Sequence, residues 1–95
     1  MQINCKNLDL GDIATEVTRF NLIRNQRLIY LDLHHALNGG LADEYICVPN
    51  LINIVAELCY QGVGKTAKAA LNDCLAKIKT LDITEIFPQL NNDNK

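Results

Sequence analysis

Residues 12–38 read DIATEVTRFNLIRNQRLIYLDLHHALN, and what this stretch forms decides the fold. Ile13, Ala14, Val17 and Phe20 recur at helical spacing. Asp12 stands where an N-cap belongs, with Glu16 in the first turn, where negative charge is favoured. From Leu22 onward the best apolar stripe is Leu22, Ile29, Tyr30, Leu33, Ala36 and Leu37. At about 100° per residue this second stripe lies nearly opposite the first. Leu28 and Leu31 stay on the first face. Either the helix breaks near 21–25, or one helix over 12–38 changes partners halfway. A helix apolar on two sides belongs at the centre of a bundle or in an interface between copies. Asn38-Gly39-Gly40 ends it, because Gly tolerates the left-handed cap conformation.

Working outward, Val48-Pro49-Asn50 opens a second helix, with Pro suited to the first turn. Its stripe is Leu51, Ile52, Val55, Leu58 and Cys59. After Gly62-Val63-Gly64, residues 65–80 carry Ala67, Ala70, Leu71, Cys74, Leu75 and Ile78 on one face. Continued through the glycines, the first stripe misses the second by about a third of a turn. Each Gly also costs about 1 kcal/mol in a helix interior. Both arguments predict a turn at 62–64 and an αα-hairpin over 50–80. Asp82 and Glu85 form a capping-box pair for a short last turn that Pro88 stops. Residues 91–95 read as a disordered tail. The fold expected is a single all-α domain over 1–90. It is a small bundle of three main helices, 12–38, 50–61 and 65–80. Dimerisation through Leu22, Ile29, Leu33 and Leu37 would complete it.

The 95 residues are enough for one domain, and 48% apolar content is enough for a core. A net charge of −2 argues against non-specific binding to nucleic acid, which needs a basic surface. Cys5, Cys47, Cys59 and Cys74 form no CxxC pair, and neither His stands at ligand spacing from them. No zinc and no other cofactor is therefore expected. Free thiols fit the reducing cytoplasm. There is no apolar run of about 18 residues, so no membrane span is expected.

Three strings carry possible chemistry. Gly62-Val63-Gly64-Lys65-Thr66 looks like the end of a P-loop, but GxxxxGK[ST] wants Gly where Cys59 stands. It also wants a parallel sheet that a chain this short has no room for. The segment from Val55 to Leu75 looks like a helix-turn-helix. Lys65, Thr66, Lys68 and Asn72 would then sit early on the recognition helix. The turn is about two residues longer than usual, and the face is rich in Ala. Finally, His35-x-Leu37-x-Gly39 resembles the phosphoacceptor signature of histidine phosphotransfer domains. That resemblance implies a helical bundle with an exposed, phosphorylated His35. It departs at Asn38, where those domains carry a Lys that helps hold the phosphoryl group.

No Ser-His-Asp or Cys-His arrangement stands at a recognisable spacing. By elimination the expected function is non-catalytic: a small helical adaptor, regulator or inhibitor that binds another protein, as a homodimer. Arg19, Arg24, Arg27, His34 and His35 are the expected contacts. DNA binding through 50–80 and phosphotransfer through His35 are the alternatives.

Overall fold

The stretch 12–38 is a β-hairpin. In the computed structural model, which describes residues 3–94, strand β1 (Thr15–Arg24) pairs antiparallel with β2 (Arg27–Ala36) over ten unbroken positions. Asn25 and Gln26 make the turn, both left-handed at φ 53° and 67°. That is the backbone of a tight hairpin whose twist matches its strands. The change of stripe near 21–25 is thus the approach to a chain reversal. The expected helix over 12–38 is overturned.

Its two-sided apolar character has a different cause. β2 is an interior strand, hydrogen-bonded to β1 on one side and to β3 (Tyr45–Asn50) on the other. Ile29, Leu31 and Leu33 alternate onto one face and are buried, while Leu28, Tyr30, Asp32 and His34 alternate onto the other. Strands place successive side chains on opposite faces, so the apolar residues of β2 divide between the packed face and an open one that carries Leu28 and Tyr30.

The expected helix over 50–61 is absent too. Pro49 lies inside β3, opposite Leu31. The Ala36 N–H donates to Glu44 C=O at 3.2 Å, so even-numbered residues of β3 bond toward β2. Pro49, being odd, turns its missing N–H away from β2, toward the side of β4 (Gly62–Gly64) but beyond the end of that short strand. Residues 51–57 are irregular, and Leu58–Tyr60 form one 3-10 turn. The sheet order is β1-β2-β3-β4, antiparallel throughout. The αα-hairpin and the helical bundle are therefore both corrected to a four-stranded meander carrying one substantial helix.

That helix, α1 (Ala67–Ile78), falls within the expected 65–80. Thr66 caps it, accepting from the Ala69 N–H at 3.0 Å. Ala70, Cys74 and Ile78 are buried against Ile29, Leu31, Leu33 and Cys47. The glycines that read as a turn serve this contact. A Cβ on Gly62 would run into Ala70 O and Cys74 N, and one on Gly64 would stand 2.7 Å from Ala69 Cβ. Only glycine lets β4 lie this close to α1.

After α1, Asp82 and Glu85 form the capping box of α2 (Ile83–Ile86), as their spacing predicts. Ile83, Ile86 and Phe87 close the end of the core. The backbone of Pro88–Asn94 runs in 3-10 turns, and the last residue of the tail expected at 91–95 lies outside the described residues. No helix is long and apolar enough to cross a membrane among the described residues.

Candidate functional site

The helices cover one face of the sheet. Beyond an end row of Thr15 and Ala36, the strand registers set out the other face in four rows. Val17, His34, Ile46 and Val63 form the first, and Arg19, Asp32 and Val48 the second. Asn21, Tyr30 and Asn50 form the third, and Ile23 with Leu28 the last. Ile23 is 72% exposed, Val63 51%, Val17 48% and Leu28 42%. Tyr30, Ile46 and Val48 are half-buried. Apolar rows at both ends thus flank a polar middle.

The middle is built tightly. Arg19 Nε donates to Asp32 Oδ1 at 2.7 Å, and Nη2 donates to Oδ2 at 2.9 Å. The guanidinium also lies over the Tyr30 ring, 4.3 Å from its centroid. Asn50 donates to Asp32 Oδ2 at 2.9 Å and accepts the Ile52 N–H at 3.1 Å. Asp32 and Asn50 are both buried. The hydrogen bonds from Arg19 hold the Asp32 carboxyl below its ordinary range; burial opposes them and Asn50 reinforces them. Asp32 is thus a carboxylate with its lone pairs occupied, which suits it to structure and poorly to proton transfer.

The five expected contact residues do not form one site. Arg19 holds the middle of the open face. Arg24 points to the helix face, where its Nη1 donates to Ile78 O and Leu81 O, both at 2.7 Å. It is a cap for α1 supplied from a strand. Arg27 is exposed beside the hairpin turn. His34 and His35, adjacent on β2, face opposite ways. His34 Nδ1 lies 3.1 Å from Thr15 Oγ1 on the open face. His35 stacks on Tyr45 at 4.4 Å between centroids and meets Asp43 at 3.3 Å. It sits on a strand, so the bundle that the phosphotransfer resemblance implies is missing.

The residues expected to read DNA fare no better as a recognition helix. Thr66 is occupied as a cap, Lys65 reaches Glu44 at 3.6 Å, and Lys68 and Asn72 stand exposed on α1. With residues 50–61 not helical, the first helix of a helix-turn-helix does not exist. The string Gly62–Thr66 runs along an antiparallel strand into α1, where it packs without cradling phosphate.

Of the residues expected at a dimer contact, Ile29 and Leu33 are buried inside the chain's own core, while Leu22 and Leu37 are half-buried. Cys47 and Cys74 are buried neighbours. The Cys74 sulfur, then burial, pushes the Cys47 thiol up, while the contact with Cys47 pushes the Cys74 thiol down. The described residues contain no cluster of three or more His, Cys, Asp or Glu able to hold a metal ion.

Tyr30, Asp32 and Asn50 were not among the expected contact residues: Tyr30 read as part of an apolar stripe, Asn50 as part of a helix start, and Leu28–Asp32 as a run that could pass for the hydrophobic-Asp strand of a nucleotide site. One signal for Asp32 was available: a single carboxylate in the apolar run Leu28–Leu33, which calls for a partner if the run is buried. No family model matches the chain, and neither the curated proteins nor the solved structures include one that matches it.

Proposed function

We propose that this domain is a non-catalytic binding module whose open sheet face takes up another protein. The observation that carries the reading is the composition of that face. Two apolar rows stand exposed, and the only full charges between them, Arg19 and Asp32, neutralise each other. Such a surface suits an apolar protein face and offers little to a phosphate backbone. The four free thiols support a reducing compartment, the cytoplasm.

Affinity capture from lysate of the source cell, with nuclease treatment, tests this. The wild-type chain is expected to retain a defined protein. A Leu28→Asp/Val63→Asp variant is expected to lose it while keeping its circular dichroism spectrum. Both residues are exposed, so the fold does not depend on them. Capture that nuclease abolishes, or that the double variant leaves intact, would overturn the reading.

A further inference from the structure

The two edges of the sheet are treated very differently. β4 is three residues long and is followed at once by Lys65. β1 is ten residues long, with no Pro, no Lys, no Gly and no bulge in its register. Edges are ordinarily blunted by Pro, bulges, shortness or charge; of these β1 carries only the charges of Glu16, Arg19 and Arg24, which a second strand can pair. Leu37 N–H donates to Ala14 C=O at 2.9 Å, which fixes the phase of the β1–β2 ladder. Even-numbered residues of β1 bond inward, so Thr15, Val17, Arg19, Asn21 and Ile23 aim their N–H and C=O groups outward.

We propose that β1 pairs antiparallel with β1 of a second copy of this chain, in the register that sets Phe20 opposite Phe20 across a two-fold axis. The backbone requires odd residues to face odd residues, which leaves few registers. Centring on Arg19 sets like charges face to face, and centring on Asn21 puts Arg19 opposite Ile23 of the second copy. Centring on Phe20 places Glu16 opposite Arg24, Val17 opposite Ile23 and Arg19 opposite Asn21, each pair occurring twice. Unlike charges face each other, apolar residues face each other, and no like charges meet. Arg24 is able to serve both roles, because its two carbonyl bonds use Nη1 alone.

The same register buries Phe20, which is 38% exposed although it lies on the helix face beside Leu22 and Leu31. It also joins the open faces. The row Val63–Ile46–His34–Val17 runs on into Ile23 and Leu28 of the second copy, so one largely apolar row, broken only by His34, crosses six strands. The proposal is independent of what the open face takes up.

Sedimentation equilibrium on the full chain tests it, with two variants. The wild type is expected to be a dimer at high micromolar concentration. Asn21→Pro removes one outward N–H and leaves the β1–β2 ladder whole. It is expected to raise the dimer dissociation constant at least tenfold with an unchanged circular dichroism spectrum. Phe20→Cys, made with Cys5→Ser and Cys59→Ser, is expected to crosslink under mild oxidation, because facing residues of this non-hydrogen-bonded type stand within disulfide reach. Thr18→Cys in the same background is expected not to crosslink. A wild-type monomer at the highest attainable concentration overturns the proposal. So does a dimer that Asn21→Pro leaves intact, or one in which Thr18→Cys crosslinks and Phe20→Cys does not.

Discussion

Arg19 grips Asp32 from the neighbouring strand through two parallel hydrogen bonds, with Asn50 closing the remaining side of the carboxylate. Asp32→Ala leaves the buried Asn50 amide only its 3.2 Å bond to the Val48 carbonyl and removes both partners of the Arg19 guanidinium. Losing hydrogen bonds to a part-buried charged group costs about 2 kcal/mol. The variant is expected to lower the midpoint of urea unfolding accordingly, and the added loss from Arg19→Met in that background is expected to be small, which a double-mutant cycle reads directly.

Acid should weaken the fold in a defined way. Asp32 is held below its ordinary value of 3.8 chiefly by Arg19, Asp73 by the Val63 N–H and then Lys77, and Asp82 by Thr84. A carboxylate whose folded pKa is depressed stabilises fully above its unfolded pKa. It loses that contribution as pH falls through the folded value. The urea midpoint is therefore expected to hold steady down to about pH 5 and to fall progressively as pH drops past the ordinary carboxylate range. Asp32→Asn is expected to make that acid slope shallower.

The cap on α1 comes from 54 residues away in sequence, through Arg24 to Ile78 O. Helix C-termini leave carbonyls without intrahelical partners, and a cation there also favours the helix dipole. Arg24→Met is expected to cost about 2 kcal/mol, the range for bonds to a charged donor. Arg24→Lys is expected to recover part of it, since one donor can reach one carbonyl. Thermal unfolding of the three proteins decides.

Gly62→Ala is expected to cost about 3 kcal/mol or to prevent folding, because its Cβ meets the backbone of α1 on two sides. Gly40→Ala is the control: a Cβ there meets nothing within 4 Å. Its unfolding midpoint is expected to stay within error of the wild type.

Gln26 holds φ 67° in the hairpin turn, where Gly is the easier residue. Gln26→Gly is expected to raise stability by about 0.5–1 kcal/mol. A lower melting temperature would show that the Gln side chain contributes more than its backbone strain costs.

These elements also show what the sequence made legible. The helix expected at 65–80 and found at Ala67–Ile78, the Asp82–Glu85 box and the stop at Pro88 are local features, set within a turn or two of chain. The strands were hidden because their apolar residues serve two faces at once. In Leu28–Leu33 five of six residues are apolar or aromatic, so a helical stripe and a strand alternation fit equally well. The hairpin carries Asn25-Gln26 in place of the Asn-Gly pair that would have announced it. Pro49 read as a helix start because only the sheet reveals that its missing N–H lies beyond the end of β4. The polar middle of the open face joins residues 19, 32 and 50, which only the β1–β2–β3 registers bring together.

The inequality of the two sheet edges sets a limit on growth. Strand addition propagates into fibrils when each newcomer presents a fresh sticky border. Here the shortness of β4, which its glycines bind closely against α1, gives the far border almost nothing to recruit with. Pairing through β1 would use the single adhesive margin of each copy. Assembly would terminate at two, a closed unit protected against polymerisation by the same close contact that makes β4 so spare.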